Sequence, residues 1–186
     1  ERKENGPYKS IYDFMERVNY SVVNRKCFEN IAYAGGFDSI IDFNRSRFFA
    51  DDQSGTQYLD QLVRYGQRIQ QEKQNAQQSL FGMVGDGGSD IQPPRVPAAE
   101  DWNNLTILNK EREVIGLYMS SHPLDRFGFI LRRACQHDLL SLQDLNLLKD
   151  TEVALAGVVT SVTPLATKDG RPYARFVLED YNTEHE

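Results

Sequence analysis

Three sets of residues have types and spacing suited to binding chemistry. The first is Gln77, Ser79, Leu80 and Phe81. An adjacent Leu-Phe pair at the end of a polar helical stretch is costly unless something covers it. A glutamine can meanwhile hydrogen-bond a partner's backbone. In physical terms this is a short-peptide anchor, although the same pair folded back onto its own chain would satisfy the same need. The second set is Arg25 and Lys26 at the start of one helix and Gly35 and Gly36 at its end. A helix, a tight glycine turn and another helix can aim backbone N–H groups at a phosphate while nearby cations add charge. An ordinary corner between two helices has the same layout. The third set is Lys168, Arg171, Tyr173 and Arg175 around a hairpin. Cations mixed with a stacking aromatic suit single-stranded nucleic acid, and a solvated polar hairpin face reads the same way.

Catalytic patterns do not emerge. Two-metal nucleotidyl transfer needs paired carboxylates on a scaffold of strands, whereas Asp51 and Asp52 fall in a turn composition. The glycines from 82 to 88 precede no Gly-Lys-Ser/Thr and follow no strand, so they do not form a phosphate cradle. No zinc spacing of Cys and His appears. His122 stands directly before Pro123, where the chain must turn, and reads as a structural side chain capping nearby carbonyls. We therefore expect no catalytic residues, no metal ligands and no cofactor in this stretch.

The 186 residues suffice for one large or two small domains. A net charge of −6 argues against a protein that coats nucleic acid with its whole surface. Cys27 and Cys135 read as reduced core residues of a cytosolic protein. No membrane-spanning run or secretory signal is evident. With no initiator methionine and an end just after a strand-like run, the chain reads as an excised fragment.

Positioning these residues requires mainly α structure with a small C-terminal β hairpin. Ser10, with Asp13 three positions on, signals a capping box, and Ile11, Phe14, Met15 and Val18 form the apolar face that follows. Asn24 caps a helix that buries Cys27, Phe28 and Ile31 and ends at Gly35-Gly36, with Phe37 as a core plug. Asp42 or Asn44 starts a helix through Phe49. The long helix beginning near Thr56 carries a stripe of Leu59, Leu62, Gly66, Ile69, Lys73 and Ala76. Gly66 costs ~1 kcal/mol against alanine and fits a close packing contact. The stripe weakens after Ile69, so the last turns should project and carry Gln77 to Phe81 into solvent. Residues 82–100, rich in Gly and Pro, read as a flexible linker. Leu105, Leu108, Ile115 and Tyr118 or Met119 form the next stripe. Phe127, Ile130, Leu131 and Ala134 then point inward, and a further helix capped by Ser141 buries Leu142, Leu145 and Leu148. A strand from Glu152 to Val162, with a bulge or close approach at Gly157, turns at Lys168-Asp169-Gly170 into a strand from Tyr173 to Glu179.

Longer matches now become informative. Residues 5–18 (NGPYKSIYDFMERV), 24–26 (NRK) and 34–39 (AGGFDS) resemble the tandem helix-hairpin-helix region of the bacterial DNA polymerase III α subunits, the C-family replicative polymerases. Residues 111–125 (EREVIGLYMSSHPLD) resemble a second characteristic stretch. Residues 77–81 resemble the pentapeptide by which replication proteins hold the sliding clamp. Residues 153–159 (VALAGVV) with 176–180 (FVLED) resemble the opening of the family's OB-fold. The resemblance implies a fold of helix-hairpin-helix type ending in a truncated OB-fold. Its segments are the end of the tandem hairpins at 1–55, the clamp-peptide helix at 56–81, the linker at 82–100, a helical connector at 101–150 and the OB start at 151–186. It also implies DNA-backbone contacts by Arg25, Lys26, Gly35 and Gly36, clamp binding by Gln77, Ser79, Leu80 and Phe81, and single-strand contacts by Lys168, Arg171, Tyr173 and Arg175. The parent enzyme would be a Mg2+-dependent DNA-directed DNA polymerase, with this stretch supporting processivity. Its partners would be the sliding clamp, duplex DNA, single-stranded template and other holoenzyme subunits, in the cytoplasm at the replisome and not at a membrane. Two alternatives are an error-prone paralogue, disfavoured by the intact pentapeptide, and a non-replicative interaction scaffold.

Overall fold

Ser10 and Asn24 open helices because their side chains accept otherwise orphaned amides. Ser10 Oγ accepts the Asp13 N–H at 3.1 Å, and Asn24 Oδ1 accepts the Cys27 N–H at 3.0 Å. The Asp13 carboxylate reaches back to the Lys9 N–H at 2.9 Å, one residue before the cap. A computed structural model of the chain describes residues 1–75 in full, the backbone of 76–78, and residues 91–144, 148–149 and 152–185. Mainly helical, with a small antiparallel sheet, the chain divides into units Glu1–Met119 and Ser120–Glu186. That division falls inside the stretch expected to act as one connector, 101–150.

The first unit contains α1 (Arg2–Asn5), α2 (Ile11–Arg17), α3 (Arg25–Tyr33), α4 (Tyr58–Gln78) and α5 (Asn104–Ile115). Short 3-10 turns cover Asp38–Ile40 and Arg45–Phe49; the second takes the place of the expected helix and is capped by Asn44. Ile11 and Met15 from α2 with Val18 just after it, Phe28 and Ala32 from α3, and Leu59 and Leu62 from α4 close one apolar core around Phe37 and Phe48. On α4, Tyr58, Tyr65 and Ile69 join the buried stripe. Gly66 lets α2 approach: a Cβ there would lie 2.3 Å from the Met15 carbonyl oxygen. Beyond Gln70, residues 71–75 are exposed.

Two expectations change in this unit. The linker read over 82–100 is strapped down at its described end. The Tyr12 hydroxyl donates to the Pro94 carbonyl at 3.0 Å, and Val96 packs against the core. On α5 only Leu108 and Glu111 are buried, whereas Leu105 and Ile115 are exposed. The stripe turns a charged residue inward because the core offers it a cationic partner.

In the second unit, 3-10 turns at Pro123–Phe127 and Leu139–Gln143 flank α6 (Gly128–Ala134). The sheet is antiparallel in the order β1 (Val158–Ala166), β2 (Pro172–Glu179), β3 (Glu184–His185). Gly157 sits where a Cβ would meet the Glu179 carbonyl oxygen at 2.9 Å, a close approach, while the register slips between Val159 and Ser161. The inward face expected for Phe127, Ile130 and Ala134 is not formed; all three are exposed. Asp138 rather than Ser141 caps the next turn, which buries Leu139. Of the other leucines expected to be buried there, Leu142 and Leu148 are half-buried and Leu145 lies outside the described residues.

Asp180 ties this unit together. Its carboxylate accepts N–H groups of Leu139 at 2.8 Å, Asn182 at 2.8 Å and Thr183 at 2.9 Å. Burial opposes its charged form, but these three donors prevail and hold its pKa below the usual aspartate value. A depressed folded pKa stabilises above the unfolded value and is lost as pH falls through the folded one. Asp180→Ala should therefore cost about 1–3 kcal/mol at neutral pH. In urea titrations of the full chain, its deficit against wild type should shrink at acid pH. A deficit independent of pH would refute this account.

Candidate nucleic-acid interface

The glycine turn between α3 and the Asp38–Ile40 turn is built from spent donors. The Ala34 N–H donates to Asn30, the Gly35 N–H to Ala32 and the Gly36 N–H to Ile31, at 2.9, 3.3 and 2.9 Å. This is the closure of a helix by a left-handed glycine, and Gly35 has φ +78°. Gly35 and Gly36, expected to offer amides to a phosphate, thus already use them within the chain. A Cβ at Gly35 would collide with the Arg45 guanidinium, so glycine is required for packing as well as for φ.

Behind the turn lies a buried charge network that sequence reading missed. Arg45 donates to both Asp38 oxygens, to the Tyr33 carbonyl at 3.2 Å and to Glu111 at 2.9 Å. Glu111, fully buried, also accepts the Met119 N–H at 2.9 Å. Burial works against the Arg45 cation, but Asp38 and Glu111 outweigh it and raise its pKa. A glutamate one helical step from Leu108, on the apolar side of α5, was the signal in the sequence. The network locks the turn, α5 and the Arg45–Phe49 segment into one geometry. Beside it, Tyr33, Phe49 and Trp102 stack with nearly parallel rings, Tyr33 and Phe49 4.2 Å apart.

The cations of the same region are paired. Arg25 reaches Asp60 at 2.6 Å, Glu29 at 2.8 Å and Gln57 at 2.6 Å. Its side chain ties α3 to α4, and the bond to Asp60 leads the causes that raise its pKa. Lys26, 68% exposed, contacts Glu29 at 3.2 Å. A phosphate arriving here must compete with Glu29 for Lys26, an exchange that salt weakens.

The four hairpin residues come together at one end of the β1–β2 pair. Lys168 and Arg171 flank Gly170, whose φ of +76° makes the turn. Tyr173 lies opposite Leu165 and Arg175 opposite Thr163, on the same face of the sheet. Alternate residues repeat at roughly 6.6 Å along a strand, a spacing at which a single strand can follow the hairpin. The other face, with Val159, Val162, Ala174, Phe176 and Leu178, is apolar.

Gln77 belongs to the last turn of α4, while Ser79, Leu80 and Phe81 lie outside the described residues. His122 is structural: its Nδ1 accepts the Leu124 N–H at 3.2 Å, so it caps an amide rather than the expected carbonyl, and its ring lies 4.5 Å from that of Tyr181. Among the described residues no cluster of three or more His, Cys, Asp or Glu side chains could hold a metal ion. No helix among them is long and apolar enough to cross a membrane.

Comparison with known proteins adds a family context. Residues 1–48 match the family model of the helix-hairpin-helix motif. Over 185 residues, the whole of this chain, the sequence is 31% identical to a protein of Caulobacter vibrioides named DNA polymerase III subunit alpha. Proteins of the same name from Borreliella burgdorferi and Thermus aquaticus are 31% and 30% identical over 97% of the chain. The chain spans only 14–15% of the length of these curated relatives.

Proposed function

Because this chain is homologous along its length to a segment of DNA polymerase III subunit alpha, we propose that it serves a replicative polymerase as a non-catalytic, DNA-binding and clamp-tethering segment. The helix-hairpin-helix region contacts the backbone of duplex DNA, with Lys26 as its exposed cation. Lys168, Arg171, Tyr173 and Arg175 guide single-stranded template, on a sheet that forms the first part of an OB-fold. Gln77, Ser79, Leu80 and Phe81 bind the sliding clamp, with other holoenzyme subunits as further partners.

The observation that supports this reading best is the form of α4. Its buried face ends at Ile69 and residues 71–75 are exposed, so the anchor peptide follows a solvated helical arm. In sequence the peptide lies between that arm and a segment fastened to the body at Pro94 and Val96. Burial of a Leu-Phe pair contributes about 3–6 kcal/mol before the cost of ordering the peptide, which sets a weak to moderate affinity. Calorimetry with the purified cognate clamp should detect binding by the full chain and lose it in Leu80→Ala/Phe81→Ala, with the unfolding midpoint unchanged. Equal affinities for the two proteins would refute the tether.

A further inference from the structure

Four arginines of the first unit are committed to acids. Arg17 pairs with Glu1 and Asp13, Arg25 with Glu29 and Asp60, Arg45 with Asp38 and Glu111, and Arg47 with Asp101. The second unit carries a cluster of another kind on α6 and the turn before it. Arg126, Arg132 and Arg133 are exposed, and none of them pairs with a carboxylate among the described residues. Between them Phe127, Phe129 and Ile130 are exposed too, Phe129 by 64%. A seven-residue helix with no buried side chain is poorly supported by packing alone.

The aromatic and cationic groups are already arranged. The Arg133 guanidinium sits over the Phe129 ring, 4.6 Å from its centroid. Alongside lies an open cavity of about 510 Å3, bordered by Leu131, Arg132, His137 and Tyr181 among others. Small-ligand sites run from about 300 to 1,000 Å3. Tyr181 is fixed at its edge by the His122 ring and by a 3.0 Å hydrogen bond to Asp125. The acids nearby already hold donors: Asp180 accepts three backbone amides, Asp138 caps the Ser141 amide at 3.1 Å, and Asp125 accepts the His122 N–H at 2.7 Å and the Tyr181 hydroxyl.

We propose that α6 and this cavity form a second single-strand site, in which Arg126, Arg132 and Arg133 contact phosphates, Phe129 stacks a base and the cavity receives a neighbouring base. Unpaired cations beside exposed aromatic rings match the two needs of a single strand, backbone charge and a π-face. An apolar protein partner would be served by the rings but not by three guanidinium groups that lack a carboxylate partner among the described residues. The site is separate from the β1–β2 hairpin and rests on the preceding reading only for the choice of DNA as occupant.

The test is fluorescence anisotropy of labelled oligothymidylate with the full chain across a salt series. Arg132→Ala/Arg133→Ala should weaken binding and make the slope of log K against log salt shallower by about 1.4, two phosphate contacts' worth. Phe129→Ala should weaken binding about tenfold with the slope unchanged. Circular dichroism should show all variants folded, since the altered side chains are exposed. If Lys168→Ala/Arg171→Ala weakens binding while both α6 variants match wild type, the α6 site is refuted and the hairpin reading stands. Loss of binding in the α6 variants alone supports the new site and refutes the hairpin. Self-association of wild type abolished by Phe129→Ala, with DNA affinity unchanged, would assign the face to protein contact and overturn the proposal.

Discussion

Arg45→Met should destabilise the chain by about 3–5 kcal/mol, the range for breaking a buried ion pair from one side. The side chain removed is almost fully buried and serves Asp38, Glu111 and the Tyr33 carbonyl at once. Glu111 would stay fully buried without the guanidinium that faces it. A well-packed apolar pair should do far better than either half alone, because the desolvation penalty disappears with the second charge. Arg45→Met/Glu111→Leu should therefore recover much of the loss, and a double-mutant cycle in urea should give a coupling of about 2 kcal/mol or more. Additive effects of the two single changes would show that the network contributes nothing jointly.

Gly66→Ala should also destabilise, against its helix propensity. At a solvated helical position the change gains about 1 kcal/mol. Here the new methyl would lie 2.0 Å from the Tyr20 hydroxyl and 2.3 Å from the Met15 carbonyl oxygen. Tyr20 could rotate away, at the cost of its 2.8 Å hydrogen bond to that same carbonyl; the Met15 backbone could move only with α2. Overpacking of this kind costs typically about 1–3 kcal/mol, and a contact with backbone belongs at the upper end. The net expectation is a loss near 2 kcal/mol with α4 shifted against α2. An unfolding free energy equal to wild type or above it would overturn the packing argument. Under the proposed tether, clamp affinity measured below the unfolding transition should be unchanged, because the arm beyond Ile69 does not depend on this contact for its exposure.

These two positions mark the boundary between local and tertiary information. Gly66 stands out in a sequence because glycine breaks an otherwise apolar stripe, and a close approach is the ordinary reason. The caps at Ser10 and Asn24, the left-handed Gly35 and the hairpin at Gly170 were legible for a related reason. Each depends on hydrogen bonds spanning a few residues, so neighbours in the chain suffice to specify them. The family was legible from long residue matches, independently of any fold argument.

What the sequence determined by itself is therefore the element order, the mainly helical class with its terminal hairpin, and the stretches that relate it to a polymerase. Tertiary structure decided which charges are available. Arg25 looked like a phosphate ligand until a carboxylate 35 residues away claimed it, and the buried pairing of Arg45 with Glu111, 66 residues away, had no local pattern to announce it. It likewise fastened Pro94 and Val96 to the body and left Phe127 and Ile130 uncovered. Periodicity tells which side chains share a face, but whether that face is covered, and whether a charge is already neutralised, depends on partners that only the folded chain brings within reach.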